Sequence, residues 1–549
     1  MQRQKDKASI CILFLVTGMF VGCRVPNWCA YRSLSSVPGT ADFSSRSYFE
    51  QCSEHGIAEV SGDDTLLPAV GTFRDDANGQ LKQGESPLKL PKELPGAATP
   101  PLSLLRNDAD GKPLDAAQQK ENILKLYSEF PPLPHEPFAL PDASNGLIGL
   151  EELQQIAREN HPGLRAAAAS VEAARGLMIQ AGLPPNPNFG YEADTVRTLN
   201  TPGYHGAYLQ QTFITAQKLG LAAQAAAVDY ANAEVNQRKA WVTVRSSVRR
   251  SYFQVLATRK RVELARVLSE LSENAYQSQI KLVIAGEAAP YEPLQLRVLT
   301  TQARASLIRS QQESIAAWRT LAATVAVPSL QPTELKGQID CPVPEIEYEI
   351  ALAQMTAVHT DLQIAENLIS KNRTLVTLAD RVPIPDLNVG FVLQRDYTFT
   401  PGTNTYNLTV GGAVPVWNKN QGNRIAARAE LIRSMQVVSD TQNQLIAKLA
   451  PMYGMYKSNR QLAQSYRAEA LSDQVRAYRG IYQRYLTDPV GVSFNDVIVA
   501  QQTLGGVLNQ YIDTLQSQWQ STVDMGELLQ VDDLFQMGDP TEVAKIPAI

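Results

Sequence analysis

Histidine and cysteine each occur only five times in 549 residues, too few and too scattered for a metal site to be read from donor spacing. Positive charge is not in excess either: 50 Lys and Arg face 55 Asp and Glu, leaving a net charge of -5. That balance lacks the basic footprint a phosphate backbone requires, so no nucleic acid partner is expected. No run of about 20 apolar residues interrupts a mean hydropathy of -0.20, which excludes a helical membrane spanner. A β-barrel stays open, because its strands alternate and leave hydropathy flat. The nine Met do not cluster as a copper relay would, and no phosphate-binding Gly loop, nucleophile elbow or HExxH is present. No catalytic residue, metal site or cofactor is therefore expected, and the chain does not read as an enzyme.

What is present begins with an export signal. Arg3, Lys5 and Lys7 precede an apolar stretch from Ile10 to Val21, the charged-then-apolar order of a secretory leader over residues 1–22. It ends Phe20-Val21-Gly22-Cys23, which resembles a bacterial lipobox with Phe20 in place of the usual Leu. Cys23 is thus either a lipidation site carrying a covalent acyl anchor or an incidental thiol behind a plain signal peptide. Cys29 and Cys52 can pair in an oxidising compartment, leaving Cys341 odd. Residues 23–146 form an extension rich in Pro, Gly, Ser and Asp, largely irregular, with one candidate helix from Ala116 to Phe130.

From Leu147 onward the chain repeats itself. At an offset of 198, His161 falls on His359, Leu164 on Leu362, Arg175 on Arg373, Pro185 on Pro383 and Pro187 on Pro385. Paired Pro-x-Pro in register with His and Arg marks an internal duplication. Each copy, 147–335 and 336–535, reads in the same order, with a tail at 536–549. A helix of about 30 residues (150–182 and 346–380) stops at the Pro-x-Pro, where proline removes a donor and disfavours the helical conformation before it. A strand hairpin follows (about 187–214 and 386–416), with Phe189, Tyr191 and Ala193, Leu387, Val389, Phe391 and Leu393, and Tyr406, Leu408, Val410 and Val414 on one face, and mostly polar residues on the other. Then comes a long helix (about 215–284 and 421–486), each roughly 100 Å at 1.5 Å per residue, and a return helix (about 291–325 and 494–530). Pro451 inside the second rod is expected to kink it.

Strands of about 9 to 11 residues with one apolar face suit an outer-membrane barrel. Four cannot close one, and lipid permits no open sheet edge, so the hairpins must join those of other copies. The fold class is therefore mainly α with a transmembrane β-barrel contribution and a helical tunnel on the aqueous side.

The segments Leu150-Glu-Glu-Leu153 through His161-Pro-Gly-Leu-Arg165, Val171-Glu-Ala-Ala-Arg175 and Pro185-Asn-Pro-Asn188 resemble the opening of the TolC-like outer-membrane efflux proteins. Ile384-Pro-Asp-Leu387, Val414-Pro-Val-Trp-Asn-Lys-Asn-Gln-Gly422 and Ala427-Arg-Ala-Glu-Leu431 look like that family's second repeat, with a weaker lean toward the heavy-metal branch. The resemblance runs from Leu147 to Leu529. It implies a homotrimer with a barrel of twelve strands in outer-membrane lipid, and a periplasmic tunnel meeting a periplasmic adaptor and an inner-membrane pump. It also implies that Gly286, Glu287, Val490 and Gly491 are adaptor-contact tips, although glycine is what any tight turn between helices uses. Asp496 falls where acidic residues ring the tunnel entrance, while Val499 stands where a second carboxylate is common. The plainer reading of Asp496 is a residue favouring a helix N-terminus. Two other functions fit the same order of elements: the duct of a one-step protein secretion system, or a non-pore structural protein of helical hairpins whose strand segments are loops.

Overall fold

The computed structural model describes residues 115–134, 147–197, 200–487 and 491–537. The leader, Cys23, Cys29, Cys52, most of the extension, Val490 and the end of the tail lie outside the described residues. The chain runs α1 (Ala116–Leu126), α2 (Leu150–Asn160), α3 (Pro162–Gly182), β1 (Asn188–Asp194), β2 (Tyr204–Phe213), α4 (Lys218–Ala285) and α5 (Glu292–Thr324). The second repeat gives α6 (Tyr348–Val358), α7 (Thr360–Arg381), β3 (Leu387–Asp396), β4 (Thr403–Gly411), α8 (Gln421–Ser465), α9 (Leu471–Thr487) and α10 (Phe494–Leu529). α2 and α6 are 11 residues each and begin at positions separated by the offset of the sequence repeat.

The opening helix of each repeat is two helices, not one. His161 and His359 leave the helical conformation, and each imidazole Nδ1 accepts a backbone N–H two residues on, from Gly163 and Asp361, both at 3.1 Å. A side chain that satisfies an orphan donor of the next helix is an N-cap, and Pro162 fits the first helical position because its missing N–H had no partner to lose. The two repeat-related histidines are therefore structural caps. α8 runs on through Pro451, and the departure from α geometry lies further along, in a π-helical turn at Tyr466–Ala470. The last strand stops at Gly411, so Val414, expected on its apolar face, lies beyond it. Gly411 and Gly412 precede Pro415 there, and proline cannot donate to a ladder.

The main core sits where α4, α5, α6, α8 and α10 cross the connection between the repeats. Trp519 is fully buried and stacks on Phe253 at 4.0 Å between centroids. The connecting chain would bring unpaired carbonyls into this core, and aromatic side chains meet them. Trp318 Nε1 donates to Leu330 O at 3.1 Å, Trp519 Nε1 to Ile339 O at 2.7 Å and Tyr453 to Ile346 O at 3.2 Å, and Tyr252 and Tyr456 donate to Lys336 O and Pro344 O. Each ring buries an apolar body worth about 2–3 kcal/mol while its polar tip removes the cost of an orphan acceptor. Arg245 and Arg249, both buried on α4, close the end of α10 by donating to Val531 O, at 2.9 and 3.3 Å. Cations suit that position, the negative end of the helix.

Candidate functional site

The four strands form one antiparallel sheet in the order β1-β2-β3-β4, so the hairpins of the two repeats pair with each other through β2 and β3. Antiparallel partners point to the same face, and the register stacks apolar residues in rows. Phe189 faces Leu209, Leu209 faces Phe391 and Phe391 faces Leu408, one row across all four strands. The next row is Tyr191, Ala207, Leu393 and Tyr406; on the other side lie Val389 and Val410 with Gln211, then Phe213 and Leu387. Four rows two residues apart make an apolar band about 20 Å tall at 3.4 Å per residue. The band is bounded at one end by His205, Arg395 and Asn404.

Among the described residues nothing covers this band. Phe189 is 75% exposed, Tyr406 and Leu408 are each 68% exposed and Val410 is 64% exposed. The opposite face carries Asn188, Glu192, Gln210, Gln394, Thr405, Asn407 and Thr409, with glycines between them and with Tyr208 and Val392 in one row. At Gly206 a Cβ would stand 2.0 Å from Leu393 O, so that strand pair meets only because the residue is glycine. Among the described residues β1 and β4 each keep an unpaired edge. One greasy face, one largely polar face and two free edges are the pattern a barrel-forming segment requires.

The other end of α4 lies about 100 Å away, since its 68 residues rise 1.5 Å each. There the helix closes in a Schellman motif: Gly286 N–H donates to Val283 O at 3.1 Å and Glu287 N–H to Leu282 O at 3.0 Å. Gly286 has φ of +82° with open space around it, so conformation and not crowding demands glycine. Gly286, Glu287 and Gly491 are exposed on the two turns, and Val490 lies outside the described residues.

Asp496 is the third residue of α10 and half of a capping box. Its Oδ2 accepts from Ser493 N at 2.8 Å and Ser493 Oγ at 2.7 Å, while Asp496 N donates to Ser493 Oγ at 3.3 Å. These bonds from Ser493 hold the carboxyl below the usual carboxylate range, so it stays charged and exposed. Oδ1 is not engaged in the box, so capping and an outward-facing charge coexist. Val499 is exposed and apolar one turn on.

Two features of this end are not legible as local pattern. Tyr485 of α9 donates to Gln279 of α4 at 3.2 Å, and Gln279 donates to Glu292 of α5. Burial lifts Glu292 above the ordinary carboxylate value, with the bonds from Ala289 and Gln279 opposing the rise. The second feature is Tyr127, which follows α1 and is 1% exposed in a cluster with Tyr276, Ile280, Leu296 and Ile498. Among the described residues no three His, Cys, Asp or Glu converge to hold a metal, and no helix is long and apolar enough to cross a membrane.

Residues 153–326 match the family model for outer membrane efflux proteins. The cobalt-zinc-cadmium resistance protein CzcC of Cupriavidus metallidurans is 24% identical over 409 residues, 71% of this chain and 91% of CzcC. The pyoverdine export outer membrane protein OpmQ of Pseudomonas putida is 25% identical over 319 residues, 52% of this chain and 65% of OpmQ. Among solved structures, CusC aligns at a TM-score of 0.55 with 17% identity, over 74% of this chain and 99% of that one. VceC of Vibrio cholerae aligns at 0.56 with 15% identity, over 69% and 95%.

Proposed function

We propose that this chain, whose residues 153–326 match the outer membrane efflux protein model, belongs to the TolC-like outer-membrane efflux proteins and is the passive exit duct of a tripartite efflux pump. It is a channel protein of the outer membrane and not an enzyme. The observation that carries the reading is the open sheet, whose uncovered apolar band and two free edges sit at one end of a rod about 100 Å long. The edges are satisfied when β4 of one copy pairs with β1 of the next. Three copies close a barrel of twelve strands with the apolar band toward lipid and the Asn, Gln and Thr face lining the passage. The helices then form a tunnel that crosses the periplasm and meets an adaptor and an inner-membrane pump at Gly286, Glu287, Val490 and Gly491. Energy and cargo selection belong to the pump.

The cargo is a divalent metal cation. CzcC matches this chain over more of its length than OpmQ does, and one exposed Asp496 per copy gives the entrance a ring of negative charge. Cys23 carries the acyl anchor that ties the mature N-terminus to the membrane. The reading of the strand segments as loops of a non-pore fibre has no support, since all four pair in one sheet.

Reconstitution of the purified chain in planar bilayers tests the duct. The expected results are a trimer by native mass, cation-preferring conductance, and a reduced preference in Asp496→Asn. A monomer that partitions into water and never conducts would refute it.

A further inference from the structure

The extension keeps one described segment, 115–134, and that segment is seated at the tip of the tunnel rather than at the sheet. Its sequence explains part of this. Asp115 caps α1 by accepting from Ala116 N at 2.8 Å, and the helix ends at Tyr127, beyond which Pro131, Pro132 and Pro134 keep the chain extended. Tyr127 is the only large residue of the segment that is wholly buried. Its hydroxyl donates to Pro290 O in the turn between α4 and α5. Its ring lies in the cluster that joins Tyr276 and Ile280 of α4, Leu296 of α5 and Ile498 of α10.

Three further hydrogen bonds and two contacts of Phe130 fix the same stretch. Tyr276 donates to Ser128 O at 3.3 Å, and Arg297 of α5 donates to Leu126 O at 3.4 Å and to Ser128 Oγ at 3.0 Å. Phe130 packs edge-on against Tyr276 at 5.4 Å, and the Arg304 guanidinium lies over the Phe130 ring at 4.6 Å, held in turn by Glu273 at 2.8 Å. A cation over an aromatic face that is itself packed on a second ring is a directional contact and not loose adsorption. The backbone of 126–128 is therefore read at two carbonyls, and its side chains at two rings.

We propose that residues 115–134 are a built-in clasp that holds the α4–α5 tip and the start of α10 together as one body. The clasp touches the first hairpin through hydrogen bonds and shares its apolar cluster with the second hairpin through Ile498 and Phe494. Moving α10 away from α4 and α5 withdraws Ile498 from the cluster that buries Tyr127, so the seated clasp opposes separation of the two hairpin ends. On the duct reading, on which this consequence rests, the clasp favours a narrow tunnel entrance, and unseating it is the step that widens the entrance. The chain that supplies the clasp is the extension itself.

Amide hydrogen exchange and bilayer conductance of the full chain test this with the double variant Tyr127→Ala, Phe130→Ala. Removing both rings is expected to speed exchange about tenfold in segments 275–299 and 494–500, leave β1–β4 at the wild-type rate, and raise the open fraction of the channel. Tip exchange and open fraction equal to wild type would overturn the clasp. If the double variant does not fold, Tyr127→Phe decides: it keeps the ring but loses the donor to Pro290, so faster exchange confined to 286–292 supports the clasp and a wild-type rate there overturns it. A wild-type protein that never conducts would remove the duct reading, while the exchange data would still decide the clasp.

Discussion

Leu408 and Asn407 are neighbours on β4 that point to opposite faces of the sheet, which makes them a matched pair for testing where the membrane lies. Leu408 belongs to the row Phe189, Leu209, Phe391 and Leu408, with apolar rows on both sides of it, and it is 68% exposed in the single chain. In a barrel that exposure becomes lipid contact near mid-band. A lysine there costs about 2–4 kcal/mol per chain, and three symmetric copies bring that to roughly 6–12 kcal/mol per trimer. Asn407 stands opposite Val392 on the polar face, which in the proposed duct meets water, so Leu408's penalty is not expected there. The assay is reversible folding into lipid vesicles in a urea series, with trimer yield in the outer-membrane fraction as a second readout. Leu408→Lys should lower the folding free energy by at least about 2 kcal/mol and deplete the trimer. Asn407→Lys should fold as wild type and change only ion preference. Equal tolerance of both variants, or equal damage from both, would show that the two faces do not meet different solvents and would refute the assignment.

Two further outcomes follow from the local geometry. Burial pushes the His359 imidazole below its ordinary value, and its Nδ1 must stay unprotonated to accept from Asp361 N. The unfolded chain then binds a proton between the usual histidine value of about 6.5 and the lower folded value, so stability falls as pH drops through that window. Thermal melts of wild type should show this decline, whereas His359→Asn, which keeps a capping oxygen without a titrating group, should flatten it; an unchanged slope would count against the cap. Gly206→Ala drives a Cβ into Leu393 O and should destabilise the sheet by roughly 1–3 kcal/mol, while Gly411→Ala, with open space at that position, should not, as urea midpoints would report.

Much of the architecture is written in periodicity. The alternation of Phe189, Tyr191 and Ala193 against Asn188, Gly190 and Glu192 announces a two-faced strand without any knowledge of its neighbours. The long rods follow from uninterrupted helical sequence ending at Gly286. The break at His161 was visible too, as a histidine followed by proline, yet helical periodicity continues across it and masks it. The helix continues through Pro451, and the π turn at Tyr466–Ala470 carries no proline that would announce it. At the tip, the capping role of Asp496 was legible as Ser493 followed three residues later by an acid, but the network of Tyr485, Gln279 and Glu292 joins three helices and leaves no mark on any one of them.

The amino-acid sequence by itself determined the element types, the duplication and the two faces of each hairpin, because those depend on residues within a few positions of one another. Only the tertiary structure decided that β2 pairs with β3 across the repeat boundary, that five aromatic side chains meet the carbonyls of the connecting chain, and that Tyr127 of the extension is buried at the far tip. Each of these joins groups separated by long stretches of chain. Their partners are selected by buried area and by polar atoms that must be satisfied once water is excluded, and neither quantity exists until the helices and strands have packed.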